Sequence, residues 1–319
     1  MTGETWRRYR RSPLAVGAVL FVCIVGAIAL FAPFLANAKP ILARTAAGWR
    51  MPAADDFWAT DMGVEPPALP ATYALRAPVP YSPNAIDLTS RLQPPGPAHR
   101  LGTDDLGRDV LARVIHGARI SLAVALLATA ISLIVGSFLG AVAGYYGGAI
   151  DWIVSRTIEV VLCFPFLFLV LAIVALFRPS LWTIMIALGL TSWTNEARYV
   201  RGEFLRIREL DFAQAARASG ARDGRIIVRH LLPNALAPVL VSASFGIAFV
   251  IATESALSFL GVGVPLPMAS WGSILSVAEQ FIDYAWWLVV FPGLAIFTTV
   301  VAFNIIGDRL RDALDPRSD

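Results

Sequence analysis

The side chains with the clearest capacity for chemistry are acids and histidines in one short stretch of the chain. Asp104, Asp105 and Asp109 lie close together, with His99 before them and His116 after them. Carboxylate and imidazole groups can hold a metal ion, or act as a general acid and base. However, the histidine spacing matches no metal motif, and acids beside glycines commonly cap helices and close turns. The cluster therefore favours a structural role, and we expect no metal site here.

Hydrolysis of ATP needs a phosphate-binding loop with a lysine that reaches the phosphates. The sequence contains no G-x-x-x-x-G-K-[ST] pattern, and its single lysine is Lys39. It also shows no nucleophile paired with a base. We expect no catalytic residue and no cofactor bound by this chain. The alternative is a polytopic membrane enzyme with an interfacial site built from Asp104, Asp109, His116 or Glu254.

Transport driven by an ion gradient usually needs ionisable side chains in the middle of membrane spans. The candidates are Glu159, Glu196 and Glu254, and each lies near the end of a predicted span. The energy for transport is therefore expected to come from a partner protein. A stand-alone channel or ion-coupled carrier is the alternative, and it would function without ATP.

The composition indicates a polytopic membrane protein. Of the 319 residues, 57% are hydrophobic and 15% are charged, and the mean hydropathy is +0.65. Soluble proteins carry about a quarter charged residues. The net charge of +3 comes from arginines beside apolar runs, so we expect no nucleic-acid partner. Cys23 and Cys163 each lie inside an apolar run, where a thiol behaves as a small hydrophobe.

Six apolar runs predict six transmembrane helices. They cover residues 13–36, 118–145, 159–177, 181–193 with an extension toward 198, 235–253 and 286–307. The arginines of a basic tail, residues 1–12, place the N-terminus in the cytoplasm, and the even number of spans places the tail 309–319 there too. Between the first two runs we expect an extracytoplasmic proline-rich loop, residues 37–100, and an interfacial amphipathic segment, residues 101–117.

Two patterns inside these runs predict local geometry. Gly136, Gly140 and Gly144 recur at every fourth position of the second run, which predicts close packing against another helix. Residues 254–284 are poor in charge but are broken by glycines and prolines, so they are too irregular to face lipid. We expect a re-entrant or surface scoop on the outer side.

A polar, arginine-rich stretch, ELDFAQAARASGARDGRIIVRHLLP, separates the fourth and fifth runs at residues 209–233. Its small residues Ala213, Ala216 and Gly220 follow helical spacing, which predicts one nearly flat face on a helix over residues 207–219. Gly220 stands where that helix should stop, because glycine adopts the left-handed conformation without steric cost.

A second helical segment is predicted over residues 222–231. It should end at Leu232 and Pro233, since proline cannot donate a backbone hydrogen bond. The whole stretch therefore predicts a cytoplasmic helix–turn–helix at the membrane surface, with a smooth side that another protein's groove could hold.

This stretch resembles the "EAA" coupling loop of permease subunits from ATP-binding-cassette (ABC) importers. In that family, Glu-Ala-Ala is followed by a glycine four residues later and by a closing Leu-Pro. The matching residues here are Gln214, Ala215, Ala216, Gly220, Leu232 and Pro233, with Glu209 at the start of the stretch. Gln214 departs from the family pattern, which most often has Glu. The resemblance implies that these residues couple the chain to an ATPase subunit.

Two more segments resemble the oligopeptide, dipeptide and nickel branch of the same family. One is the series Gly-Thr-Asp, Gly-Arg-Asp and Gly-Ala-Arg within residues 102–119, and the other is the tail FNIIGDRLRDALDPR. The resemblance implies the C-type inner-membrane subunit of such an importer. It also implies an all-α fold of six transmembrane helices, with the type-1 ABC importer domain over residues 119–308.

The same resemblance implies a translocation pathway for di- or oligopeptides in the bacterial inner membrane, with nickel or another small solute as the alternative. The implied partners are a second homologous permease subunit, two ATPase subunits that carry ATP and Mg²⁺, an extracytoplasmic solute-binding protein and membrane lipid. No residue of the substrate pathway stands out in the sequence.

Overall fold

The structure is a computed structural model that describes residues 7, 9–45, 48–55, 73–177 and 180–314. It is predominantly helical, as predicted. The helices are α1 (Pro13–Leu30), α2 (Ala32–Leu35), α3 (Pro52–Asp55), α4 (Val110–Tyr146), α5 (Gly148–Leu162), α6 (Phe166–Leu176), α7 (Leu181–Ile207), α8 (Asp211–Ala218), α9 (Asp223–Arg225), α10 (Leu232–Phe259), α11 (Trp271–Ala278) and α12 (Trp287–Leu314). A π-helical segment, Ile226–Leu231, joins α9 to α10.

Within the described residues, four helices are long and apolar enough to cross a membrane. They are α1, α4, the part Pro238–Phe259 of α10, and α12. Helices α5 and α6 would make a fifth crossing together, although they are bent by 87° at their junction. Helix α7 has 27 residues, but polar side chains interrupt its apolar surface. The six predicted runs fall on helices, and the number of crossings stays a prediction.

Several helix boundaries differ from the predicted ones, and two of the differences change how the bundle is connected. The third predicted span, residues 159–177, is not one helix, because Pro165 has no backbone N–H to continue the hydrogen-bond ladder. Helix α5 therefore ends at Leu162, and α6 starts at Phe166. The short helix predicted before the second span is continuous with that span, because α4 begins at Val110.

Helices α4 and α7 pack so closely that their backbones are in contact at three glycines of α4. A Cβ on Gly140 would lie 2.5 Å from the carbonyl oxygen of Ala197, and one on Gly144 would lie 2.6 Å from the Cβ of Phe204. Gly136 meets α7 in the same way. The close packing predicted from the glycine repeat is therefore present, and it makes α4 and α7 one unit.

The main apolar core joins α1, α4, α6, α7, α10 and α12. Helix α11 inserts among them within the predicted scoop, residues 254–284. Its Trp271 is only 2% exposed, and the indole Nε1 donates to the carbonyl oxygen of Val114 at 3.0 Å. This contact fixes α11 against α4, so the scoop is a packed part of the membrane domain.

Part of the proline-rich segment 37–100 forms a small antiparallel sheet that the sequence did not predict. Its strands are β1 (Leu42–Thr45), β2 (Gly48–Arg50) and β3 (Tyr73–Leu75), in the order β2–β1–β3. The backbone N–H of Val79 donates to the carbonyl oxygen of Leu35 at 3.0 Å, which ties this segment to the end of α2.

A tight turn closes the same segment onto the start of the membrane domain. Thr89 and Ser90 donate to the Asp87 carboxylate, and these hydrogen bonds hold its pKa below the usual value. Gly107 has a φ of +72°, and a Cβ at this position would overlap the carbonyl group of Asp87. Only glycine meets both requirements here.

Candidate functional site

The stretch 209–233 forms two short helices and a turn, as predicted, but the first helix begins later. Helix α7 runs through Ile207, and the chain turns before α8 starts at Asp211. Helix α8 then stops at Ala218, and Gly220 follows with a φ of +77°. The predicted role of Gly220 as the left-handed residue after a helix is therefore confirmed.

The predicted helix end at Leu232 and Pro233 is wrong. The N–H of Leu232 bonds to the carbonyl oxygen of Ile227, five residues earlier, and helix α10 then continues to Phe259. Pro233 occupies the first turn of α10, where its missing N–H is tolerated. The π-helical segment thus lets the coupling stretch run into a long membrane helix without a break.

The flat face of α8 points inward. Ala213 is fully buried and Ala216 half-buried, and both pack against an apolar cluster that includes Phe204 and Ile226. Small side chains on this face let α8 lie close to the end of α7. The smooth surface predicted for a partner's groove is therefore used within the chain.

The opposite face of α8 is open. Gln214 and Ala215 are exposed there, together with Phe212, which is 41% exposed. The Gln214 side-chain amide donates to the backbone carbonyl oxygen of Glu209 at 3.0 Å. Of the predicted coupling residues, Glu209, Gln214 and Ala215 thus lie together on one accessible surface. Leu232 is half-buried at the start of α10, and Pro233 is exposed beside it.

Four side chains anchor the coupling stretch to the end of α4. Arg208 Nη1 donates to the carbonyl oxygens of Gly144 at 3.0 Å and Tyr145 at 3.3 Å. The Tyr145 hydroxyl donates to Asp223 at 2.7 Å, and the Arg217 guanidinium lies 5.1 Å from the centre of the Tyr145 ring. A displacement of the stretch would therefore be passed directly to α4.

A second connection joins α5 to α7. Both nitrogens of an Arg201 fork bond to the Asp151 carboxylate, and Nη2 donates to Oδ2 at 2.7 Å. Asp151 lies in the first turn of α5, where an acid also favours the helix dipole. Helices α4, α5 and α7 are thus tied together at the end of the bundle that carries the coupling stretch.

The acid cluster at the start of α4 has the structural role that we predicted. Asp109 is the N-cap of α4: its Oδ1 accepts from the N–H of Ala112 at 2.8 Å, and its Oδ2 lies 2.9 Å from His99 Nδ1. Asp104 accepts from Arg108 Nε at 2.7 Å. These carboxylates are occupied by capping and ion pairing.

The neighbouring basic groups brace the proline-rich segment. Arg113 is fully buried; its Nε lies 3.4 Å from the Asp104 carboxylate, and its Nη1 donates to the carbonyl oxygen of Pro83 at 3.1 Å. His116 Nε2 lies 2.8 Å from the carbonyl oxygen of Ala36. Asp104, Asp109 and His116, three residues of the membrane-enzyme alternative, therefore help to hold the proline-rich segment against α4.

Glu254, the remaining candidate of that alternative, is fully buried and surrounded by hydroxyl groups. Ser258 donates to its Oε1 at 2.7 Å, and Ser121 donates to its Oε2 at 3.2 Å. The backbone N–H of Trp271 in turn donates to the Ser121 oxygen at 3.2 Å. This network connects α10, α4 and α11, so it fits a packing role.

A cavity of about 1190 Å³ opens between the helices. Its walls come from α4, α5, α6, α7, α10 and α12. Polar and charged side chains line much of it: Thr129, Ser132, Thr191, Ser192, Thr194, Asn195, Glu196, Tyr199, Glu203, Arg206, Asn234, Ser242 and Arg311. Phe166 and Phe249, whose ring centres are 5.1 Å apart, also line it. The wall of this cavity is therefore much more polar than the apolar core of the bundle.

The sequence argument placed Glu196 near the end of a span. Helix α7 continues past it to Ile207, so Glu196 lies inside a helix, and where the membrane ends along α7 stays a prediction. Its Oε1 accepts from Ser242 of α10 at 2.8 Å. The apolar run that predicted the fourth span, residues 181–193, ends before Glu196 because Thr191, Thr194 and their neighbours are polar. That polar cluster inside an apolar run was the available signal for a cavity wall.

The family described as the binding-protein-dependent transport system inner membrane component matches residues 136–319, which is more than half of the chain. The chain belongs to this family. A second family, the N-terminal transmembrane domain of oligopeptide transport permease C, matches residues 1–48. The protein is therefore a C-type ABC importer permease, as the coupling stretch and the pattern over residues 102–119 implied.

The permease is 47% identical over 229 residues to the dipeptide transport system permease protein DppC of Alkalihalophilus pseudofirmus, covering 72% of this chain and 75% of that one. It is 36% identical over 315 residues to the glutathione transport system permease protein GsiD of Pectobacterium atrosepticum, covering 98% and 90%. An inward-facing MetNI methionine ABC transporter structure matches with a TM-score of 0.52 at 20% identity, over 64% of this chain and 98% of that one. This last likeness shows the type-1 importer permease fold.

Proposed function

We propose that this permease forms part of the inner-membrane pathway for di- or oligopeptides, together with a second homologous permease subunit. Two ATPase subunits, which carry ATP and Mg²⁺, would dock on the exposed surface made by Glu209, Gln214 and Ala215. A solute-binding protein would deliver the peptide from the other side. The chain itself would bind no cofactor, and both termini would lie in the cytoplasm after six crossings.

The observation that carries this proposal is the connection between the coupling stretch and the cavity. Arg208 and Tyr145 tie the stretch to α4, and α4 packs at backbone contact on α7. Both helices line the cavity. A movement of the docked stretch would therefore move two cavity walls as one body, which is how closure of the ATPases would alternate access.

The names of the relatives support the choice of substrate. One relative is named for dipeptides and another for glutathione, a tripeptide. The cavity volume exceeds the range of about 300 to 1,000 Å³ that suits a drug-sized ligand, so a short peptide fits without close selection of its side chains.

The test is reconstitution of this permease with its partner permease and binding protein in liposomes, with and without the ATPase subunits. We expect uptake of a labelled dipeptide only when the ATPases and ATP are present. Uptake without the ATPases would instead support the channel or ion-coupled carrier. Uptake of Ni²⁺ but of no peptide would support the small-solute alternative.

A further inference from the structure

Only one oxygen of the Glu196 carboxyl group has a hydrogen-bond partner. The Ser242 hydroxyl donates to Oε1, but Oε2 is buried and has no hydrogen-bond partner among the residues that the structure describes. The residue is 5% exposed and belongs to the cavity wall. Leaving a buried acceptor of this kind unpaired costs free energy, and the cost is larger when the group is charged.

A second unpaired acceptor lies on the same wall. The hydroxyl of Thr129 on α4 is also buried without a partner in the described part of the chain, and Thr129 lines the cavity. Two acceptors on neighbouring helices, both belonging to residues of the cavity wall, are thus buried without a partner among the described residues. A small rotation of either side chain toward the cavity would let it accept a hydrogen bond from a donor there.

The cavity is also lined by three other charged residues, on α7 and α12. Glu203 and Arg206 are three residues apart on α7 and pair with each other at 2.8 Å. Arg311 is in the last turn of α12. Glu196 is therefore an acid of the cavity wall that takes part in none of the ion pairs found among the described residues.

Glu196 also lies deep in the bundle. At 1.5 Å per residue, it is roughly 22 Å from Leu181 and roughly 16 Å from Ile207 along α7. Glu196 is enclosed by its neighbours: Gly136 of α4 lies against its Cβ, and Ser242 of α10 donates to its Oε1. A buried acid inside a membrane bundle normally marks a substrate or ion pathway.

We propose that Glu196 binds the α-ammonium group of a peptide while the peptide passes through the cavity. Oε2 accepts from the ammonium, Ser242 keeps the carboxylate oriented through Oε1, and the Thr129 hydroxyl is available to the same end of the ligand. The α-ammonium is common to peptides of any sequence with a free N-terminus. One acid can therefore serve substrates whose side chains differ. This inference rests on the proposed peptide import.

The experiment uses the reconstituted importer, with its binding protein and ATPases, and one peptide in two forms: a free N-terminus and an N-acetylated N-terminus. Each form is supplied at a concentration that saturates the binding protein, measured separately on that protein. The variants are E196Q, E196D and S242A. The matched control is E159Q, because Glu159 is an exposed acid on α5 that pairs with Arg156. Basal ATP hydrolysis reports assembly.

We expect E196Q to lower uptake of the free peptide by about tenfold or more, the usual effect of losing one charge-assisted hydrogen bond. Uptake of the acetylated peptide should change less than about twofold on the same reasoning. E196D should recover part of the uptake, S242A should give a smaller loss, and E159Q should give none. This pattern would separate ammonium binding from a role in packing α7 against α10.

Equal loss of both peptide forms in E196Q would overturn the inference and leave a packing role. Unchanged uptake of the free peptide in E196Q would also overturn it, while import by the unmodified complex would keep the proposed function intact. If the unmodified complex imported no peptide, both the proposed function and the inference would fall. If E196Q did not assemble, the comparison of the two peptide forms in S242A and E196D would decide.

Discussion

Arg208 donates from Nη1 to the carbonyl oxygen of Gly144 at 3.0 Å, and so caps the last turn of α4 with the residue that directly precedes the coupling stretch. The same side chain donates from Nε to Glu209 at 2.9 Å. A cation at a helix C-terminus also favours the helix dipole. This one arginine therefore connects the surface proposed for the ATPase to a wall of the cavity.

We predict that R208K uncouples ATP hydrolysis from transport. Lysine keeps the charge but cannot donate to several oxygens in the fixed geometry of a guanidinium. Loss of one or two charge-assisted hydrogen bonds should lower uptake per ATP hydrolysed by about tenfold. The measurement is peptide uptake and phosphate release in the same liposomes. R156K is the control, since Arg156 forms an exposed ion pair on α5; a normal ratio of uptake to ATP in R208K would contradict the prediction.

Gly220 offers a test of the coupling stretch itself. Its φ of +77° is a conformation that side chains rarely adopt, although a Cβ there would meet nothing within 4 Å. We expect G220V to abolish most uptake while the protein still inserts, because a β-branched residue in this conformation costs at least about 1–2 kcal/mol. G220D adds charge next to the docking surface, and we expect it to uncouple transport.

Two variants control for the effect at Gly220. G220N should retain more uptake than G220V, because asparagine tolerates the left-handed conformation. G224A changes a nearby glycine that has open space and an ordinary helical conformation, so it should behave as the unmodified permease. Normal peptide uptake by G220D would count against a coupling role for this turn.

The contact of α4 with α7 should tolerate no side chain at Gly140. Leucine there would meet the Ala197 carbonyl oxygen and the Val200 Cβ, both within 3 Å of the new Cβ. Overpacking of this kind costs about 1–3 kcal/mol or more. We expect G140L to lower the melting temperature of the purified permease and its yield from the membrane. G202A, on α7 with open space, should leave both unchanged.

Asp109 should matter for stability rather than for chemistry. It caps α4 and bonds to His99, so D109A should destabilise the outer part of the protein by about 0.5–2 kcal/mol. Asparagine can still cap the helix, and D109N should lose less. The measurement is thermal unfolding in detergent, with the exposed D312A as control. Loss of transport in D109N with unchanged thermal stability would instead favour a chemical role for this carboxylate.

The sequence predicted the features that depend on local residue types. Gly136, Gly140 and Gly144 implied close helix packing because only glycine lets two backbones touch, and the structure shows that contact. The acids near His99 implied capping because short acidic side chains compete for backbone N–H groups. The end of α8 shortly before Gly220 was predicted from that glycine alone.

Features that depend on the partners of a helix were not predictable in the same way. The small face of α8 could have served another protein, but the cluster that covers it also draws on Ala141 and Tyr145 of α4, which are far away in the sequence. Similarly, the polar residues near Glu196 ended the predicted apolar run before the helix itself ends. Their meaning depends on α4 and α10, which form the other walls of the cavity.

The π-helical segment Ile226–Leu231 determines which changes in length this region can accept. A π turn contains one residue more than an α turn, because each N–H bonds to the carbonyl oxygen five residues earlier instead of four. Because the wider turn takes up the extra residue, deleting one residue there would restore ordinary helical bonding while α8 and α9 keep roughly their direction relative to α10. An insertion or deletion in the α-helical part just after Leu231 would instead turn Phe212 and Gln214 by about 100° about the axis of α10. The π-helical turn is therefore the place where the chain can change its length without reorienting that exposed surface.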